Sequence, residues 1–263
     1  MNIAIVQARM GSTRLPGKVM EDLWGKPVVA RVVERLKLCE KVGRIFVAIP
    51  DTTENDIIEK YFEQWNVTVV RGPEEDVLAR FVQAYVRACG WFGEEHISSI
   101  ARITADCPFV DPRVVDAAIE WTEALVAQDE DSLFVSNTLD RTFPKGLDVE
   151  VFTPGLLGDA DCSAISDHGD REHVTPWMEK NALVKRNLSV ENDQSHITLC
   201  IDTPQQLGAI RELYFPFAQS KDFTTASVLW LLGKRPDLVA ILAPKLIDKH
   251  DEDALLPEGL GNQ

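Results

Sequence analysis

Residues 3–8 read Ile3-Ala4-Ile5-Val6-Gln7-Ala8, and residues 9–18 read Arg9-Met10-Gly11-Ser12-Thr13-Arg14-Leu15-Pro16-Gly17-Lys18. A short apolar run that stops at a loop of Gly, Pro and hydroxyl residues predicts a buried strand and a tight connection. Outward from there, Val28, Val29, Val32, Val33 and Leu36 recur at helical spacing, with Pro27 suited to a first turn, and predict a helix over 26–40. A strand at 44–49, a helix at 54–64 and a strand at 67–70 follow. Gly72-Pro73-Glu74-Glu75-Asp76 then opens a helix through Val77, Leu78, Phe81, Val82 and Tyr85, with acids where the helix dipole favours them. A strand at 97–103 and a helix from Asp111-Pro112 to about 124 close the first half. Alternating strands and helices imply an α/β fold, a mostly parallel sheet with helices on both faces. The second half is less regular, with strands expected at 148–152 and 197–201 and helices at 171–181, 204–215 and 224–233. One domain over 1–243 and a loosely ordered tail over 244–263 are the expectation.

Hydrophobic residues make up 45% and charged residues 26% of the 263, a balance that excludes global disorder. The five cysteines (Cys39, Cys89, Cys107, Cys162, Cys200) are odd in number and scattered without a CxxC pair, which excludes a disulfide scaffold or zinc ribbon. The start MNIAIVQARM lacks the long apolar stretch of a signal peptide, and no run reaches transmembrane length, so a soluble cytoplasmic protein is expected. A net charge of -15 argues against nucleic acid or anionic membrane as a partner. Against that background residues 1–50 hold nine basic and four acidic side chains. Arg31, Arg35, Lys37 and Lys41 read as the solvated face of a helix, whereas Arg9, Arg14 and Lys18 lie in the loop after the first strand.

Ligands of open α/β sheets sit beyond the carboxyl ends of strands. The loop at 8–18 combines two glycines with three fixed cations, so its N–H groups can cradle phosphate oxygens while the cations neutralise developing charge. It is neither GxxxxGK[ST], since Val19 follows Lys18, nor GxGxxG. Asp106 in Arg102-Ile103-Thr104-Ala105-Asp106-Cys107-Pro108 and Asp202 in Thr198-Leu199-Cys200-Ile201-Asp202-Thr203-Pro204 each stand just past an expected strand. Two such carboxylates suit Mg²⁺. Asp202 also reads as a plain turn residue, because Thr203, Pro204 and Gln206 form an N-cap, a first-turn Pro and a capping-box Gln. Residues 143–152 alternate, placing Asp148 and Glu150 on one face, and periodicity alone assigns that face to solvent. Asp170-Arg171-Glu172-His173-Val174-Thr175-Pro176 is not HExxH and reads as a capped helix start. Asp76 and Arg80 have the i, i+4 spacing of a helix-surface pair. Asp129-Glu130-Asp131 is a formal DxD in a hydrophilic loop.

The string Ala8-Arg9-Met10-Gly11-Ser12-Thr13-Arg14-Leu15-Pro16-Gly17-Lys18 resembles the signature of sugar-activating cytidylyltransferases. It is most similar to the family of spore coat polysaccharide biosynthesis protein F, related to the enzymes that make CMP-Kdo and CMP-acylneuraminate. The segments around Asp76, Asp106, Asp148, Arg171 and Asp202 resemble further elements of that family in the same order, with Ala105 in place of a frequent Gly and Gln205-Gln206 in place of an acidic pair. The resemblance implies a nucleotide-diphosphosugar-transferase-like fold (Rossmann-like, GT-A-type). It implies that Arg9, Ser12, Arg14 and Lys18 contact a triphosphate, with Lys18, aided by Arg9 and Arg14, stabilising the transition state. Ala8, Gly11, Thr13, Asp76, Arg102 and Asp106 then belong to the nucleotide site. Asp106 and Asp202 hold Mg²⁺, and Arg80, Asp148, Glu150, Arg171, Glu172 and His173 lie on the acceptor side.

The implied reaction is attack by a sugar or sugar-acid oxygen on the α-phosphorus of CTP, with pyrophosphate leaving, in a homodimer making precursors of surface polysaccharide. Two alternatives stay open: a nucleotide-sugar-dependent glycosyltransferase of similar fold, and a non-catalytic nucleotide-binding protein of the same pathway.

Overall fold

The computed structural model describes residues 1–128, 132–163, 168–220 and 222–244. The expected tail beyond 244 and the Asp129-Glu130-Asp131 string lie outside these residues. Among the described residues seven strands form one sheet: β1 (Asn2–Gln7), β2 (Val42–Pro50), β3 (Thr68–Gly72), β4 (Ser99–Thr104), β5 (Leu133–Ser136), β6 (Glu150–Phe152) and β7 (Val184–Asn187). Their order is β3-β2-β1-β4-β6-β5-β7. All neighbours pair in parallel except β6, which runs antiparallel to both β4 and β5. The mixed, mostly parallel sheet matches the expected class.

Alternation along each strand builds a core on each face. From β1, Ala4 and Val6 enter one cluster and Ile3 and Ile5 the other; β2 divides Val47 and Ile49 from Phe46 and Ala48 in the same way. The first cluster is covered by α1 (Val28–Leu36), α2 (Asp56–Phe62), α4 (Pro112–Val126), α8 (Pro204–Tyr214), α9 (Thr225–Gly233) and α10 (Pro236–Leu242). The second lies under α3 (Val77–Phe92), α5 (Pro154–Ser163) and α7 (Pro176–Asn181). Each such fully buried side chain is worth roughly 1.5–3 kcal/mol, so covering both faces stabilises the sheet without covalent staples.

Helix starts follow local chemistry. Asp76 caps α3 by accepting from Ala79 N–H, and Asp111 with Pro112 starts α4. Thr203 and Gln206 form a reciprocal capping box on α8, as their sequence expects. The expected helix at 171–181 is instead two, α6 (His168–His173) and α7, because Val174 takes a left-handed backbone at φ 73°. The expected strand at 197–201 is reduced to a single parallel bridge between Lys145 and Thr198.

The cations of α1 do not solvate its face. Arg35 is 1% exposed; it donates to Val110 O and Phe223 O, and its guanidinium stacks 3.7 Å from the Phe223 ring. Arg31 is also buried and donates to the carbonyls of Leu23, Trp24 and Ala218. These two arginines anchor the segment before α9 onto α1, a role their planar five-donor head suits better than an ammonium would.

Candidate active site

The strand order reverses at β1, whose carboxyl end borders both β2 and β4, and the cleft opens there. It encloses about 250 Å³ and is lined by the loop residues Ala8, Arg9, Ser12, Thr13, Arg14 and Lys18, by Thr104, Ala105 and Asp106 beyond β4, and by Arg80, Glu172 and His173. The loop is shaped by its own backbone. Gly17 N–H and Ser12 N–H both donate to Met10 O, and Met10 N–H donates to the buried Asn55 side chain. Gly17 at φ 74° permits the left-handed turn that starts the 3-10 helix Lys18–Met20, where Val19 is buried. This turn returns Lys18 to the strand ends while Arg9 and Arg14 stay on the rim, 43% and 65% exposed.

Lys18 is the hub. Its Nζ donates to Asp106 Oδ2 at 2.5 Å, to Ile201 O at 2.7 Å and to Asp202 Oδ1 at 3.0 Å. The other Asp202 oxygen faces Arg14 at 3.1 Å and Lys145 at 3.4 Å. Burial works against the Lys18 charge, but Asp106 and then Asp202 outweigh it and hold its pKa above the ordinary lysine value. Burial likewise works against the Asp202 charge; Lys18, Lys145 and Arg14 prevail, and its pKa falls below the ordinary value. Three oxygens thus converge on one cation, and the two acids expected from separate strand ends do meet. Their hard, converging oxygen donors fit a magnesium ion.

Asp202 needs its neighbours to stand there. Gln206 Oε1 accepts from both Asp202 N–H and Thr203 N–H, so capping of α8 also fixes the aspartate's backbone. Gly146, at φ 102°, lies against the 199–200 backbone, where an added Cβ would sit 2.6 Å from the Leu199 carbonyl carbon. Lys145 N–H donates to Ile197 O and Leu199 N–H to Lys145 O.

The remaining candidates divide. Arg80 is 1% exposed, donates to Pro73 O and Glu74 O, and has no carboxylate partner among the described residues; burial, with Arg9 adding to it, pushes its pKa down to about 10. Glu172 faces Arg9 at 3.6 Å across the cleft, and His173 is exposed beside it. Asp76 and Arg171 do not line the cleft. Asp76 caps α3 and accepts from Arg171 Nε at 2.6 Å, and Arg171 also reaches Asp161 at 2.8 Å. This ties α6 to α3 and α5, in place of the i, i+4 pair of Asp76 with Arg80. Arg102 and Glu150 sit opposite each other in the β4–β6 register and form an ion pair. Glu150 is 5% exposed and its second oxygen accepts from Thr175 Oγ1, which corrects the solvent face inferred from periodicity. Asp148 precedes β6 and is held by both Nη atoms of Arg141 at 2.6 and 2.9 Å. Sequence reasoning missed Lys145, Asn55 and Gln7; a polar residue ending an apolar strand was the available signal for Gln7, and Asn55 gave none.

Among the described residues no helix is long and apolar enough to cross a membrane. In solved structures the fold recurs in a cytidylyltransferase from Leptospira borgpetersenii, with a TM-score of 0.81, 28% identity and coverage of 90% of this chain and 96% of that one. A CMP:2-keto-3-deoxy-manno-octonic acid synthetase complexed with CTP shares the fold at a TM-score of 0.59 and 18% identity, covering 82% of this chain and 98% of that one. In sequence, the chain is 30% identical to spore coat polysaccharide biosynthesis protein SpsF of Bacillus subtilis over 241 residues, 89% of this chain and 94% of the relative. It is 33% identical to 3-deoxy-manno-octulosonate cytidylyltransferase of Bartonella tribocorum over 124 residues, 46% and 47% of the two chains. The sequence profile described as Cytidylyltransferase matches residues 3–229. With its basic loop facing two acids at the switch point of the sheet, the chain belongs to the cytidylyltransferase family, and so to the nucleotidyltransferases.

Proposed function

We propose that this enzyme transfers a cytidylyl group from CTP to an oxygen of a sugar or sugar acid, with Mg²⁺ and with release of pyrophosphate, to supply surface polysaccharide or glycoconjugate synthesis. The observation that carries the reading is that Lys18, which with Asp106 lines a cleft rimmed by the Arg9–Lys18 loop, bonds to both Asp106 and Asp202. The name of the Bartonella relative and the CTP in the structural neighbour support CTP and a sugar-acid class of acceptor, and the name of the Bacillus relative supports a place in polysaccharide synthesis.

Nucleotidyl transfer asks mainly for alignment and charge neutralisation. Arg9 and Arg14, on the rim, meet the outer phosphates that leave as pyrophosphate. Lys18, deeper and fully charged, places its ammonium against the phosphate oxygens on which charge accumulates. Asp106 and Asp202 would hold Mg²⁺, which when bound neutralises phosphate charge and eases deprotonation of the acceptor hydroxyl. Ala8, Ser12 and Thr13 supply the loop surface around the phosphates, and Arg80, Glu172 and His173 face the acceptor side of the same cleft.

Pyrophosphate release from CTP, measured with Mg²⁺ against a panel of sugar acids and sugar phosphates, tests the reading. Acceptor-dependent release with formation of a CMP-sugar is the expected result. CTP binding without turnover on any acceptor, or transfer from a nucleotide sugar, would replace it.

A further inference from the structure

The turns that deliver Asp106 and Asp202 bring a second set of groups together. Cys107 follows Asp106, Cys200 precedes Asp202 by two residues, and Ile201 N–H donates to Asp106 O at 3.0 Å, which holds the two segments side by side. As a result Cys107 Sγ, Cys200 Sγ and a carboxylate oxygen of Asp106 all lie within 4.8 Å of one another. Asp106 is turned so that Oδ2 meets Lys18 while Oδ1 accepts from the Cys107 thiol at 3.4 Å. Thr104 Oγ1 lies 3.0 Å from the same sulfur. Both cysteines are 5% exposed, and the third member of the cluster, Asp106, lines the cleft.

We infer that Cys107, Cys200 and Asp106 bind a thiophilic divalent cation of the Zn²⁺ and Cd²⁺ class. Two sulfurs and one carboxylate form a borderline-soft donor set that such ions favour and that Mg²⁺, which wants oxygen and near-octahedral geometry, does not. Tetrahedral coordination with Zn–S bonds of about 2.3 Å sets two sulfurs roughly 3.8 Å apart, so the observed spread is within about an ångström of that required. The fourth position falls to water from the cleft, and both thiols release their protons to solvent on binding. Asp106 is shared between this site and Lys18, so a thiophilic cation draws on the same carboxylate that the nucleotidyl-transfer reading assigns to Mg²⁺. Only this last consequence rests on that reading.

The test uses the full chain, reduced and freed of divalent ions, without CTP or acceptor. Titration with Cd²⁺ should raise a Cd–thiolate charge-transfer band that saturates at one ion per chain. Cys107→Ser and Cys200→Ser should each abolish the saturating band, Cys162→Ser should keep it, and Asp106→Asn should weaken affinity at least tenfold. A band unchanged in both buried-cysteine variants, or no band in the intact chain, would overturn the site. Should a buried serine unfold its variant, X-ray absorption of Zn²⁺ on the intact chain decides: two sulfur neighbours support the site, and a shell of oxygen and nitrogen alone refutes it. Nothing here reads turnover, so a negative result leaves the nucleotidyl-transfer reading standing, and failure of that reading leaves this test intact.

Discussion

Lys18 and Asp202 stand 184 positions apart in the chain and 3.0 Å apart in space. Until a ligand enters, the ammonium serves as internal counter-ion to two acids that would otherwise repel each other in a half-buried place. Removing it as Lys18→Ala should cost about 2–4 kcal/mol of transition-state stabilisation, read as a fall in kcat for CTP-dependent pyrophosphate release. A rise in KM with kcat untouched would reduce Lys18 to a binding group.

Asp106→Asn and Asp202→Asn keep the size and shape of each side chain and discard its charge. Each should abolish Mg²⁺-dependent turnover while leaving the far-ultraviolet circular dichroism as in the parent chain. Near-normal rates in either variant would remove that residue from the proposed metal site.

Arg102 and Glu150 face each other across β4 and β6, with their side chains 14% and 6% exposed. Breaking a buried pair from one side strands the other charge, so Arg102→Met should lower stability by about 3–5 kcal/mol in urea unfolding. Adding Glu150→Gln to it should restore part of that loss. Equal stability of the single and double variants would mean that Thr175 and Gln7, the other partners, carry the arrangement.

Gly146→Ala must fit a methyl group 2.6 Å from a backbone carbon at φ 102°. It should destabilise the chain by at least about 1–3 kcal/mol, and it should lower activity as well, since the segment it displaces carries Asp202. Gly158→Ala is the comparison: it sits in α5 with no atom within 4 Å of the new methyl, and it should be neutral or stabilising by up to about 1 kcal/mol.

All three tyrosines, Tyr61, Tyr85 and Tyr214, have hydroxyls pushed above the ordinary value by burial, Tyr214 to about 12. Since the folded chain holds these protons more tightly, their contribution is complete below pH 10 and is lost as pH climbs from there through the folded values. Tyrosinate absorbance should therefore rise together with loss of circular dichroism, not before it. Tyr214→Phe should retain on the order of 2 kcal/mol more of its neutral-pH stability at pH 12 than the parent chain retains.

Much of the fold was legible because it follows from local rules. The strand at β1, the loop after it and the capping box on α8 need only periodicity and turn chemistry, and all appear as read. What escaped depends on tertiary partners. β5 and β7 have four residues each, too few to show a period, and they exist because neighbouring strands pair with them. The 197–201 stretch looks like a strand but forms only a single isolated bridge, to Lys145 outside the sheet, with the neighbouring Gly146 packed against the 199–200 backbone. In the site, residue types announced the phosphate loop and the acids. No pattern in the sequence tells that Arg31 and Arg35 would be swallowed by the C-terminal segment, or that Asp76 would serve Arg171.

The antiparallel strand β6 has a consequence for synthesis. It alone bridges β4 to β5, yet it lies later in the chain than both. On the ribosome, β1 to β4 can pair as soon as they emerge, but the outer edge of β4 then waits with its backbone groups unpaired until residues 150–152 arrive. During that interval the nascent protein carries an open sheet margin able to recruit a neighbouring polypeptide. The strand that joins the two parts of the sheet is therefore also one whose delay exposes the growing chain to aggregation.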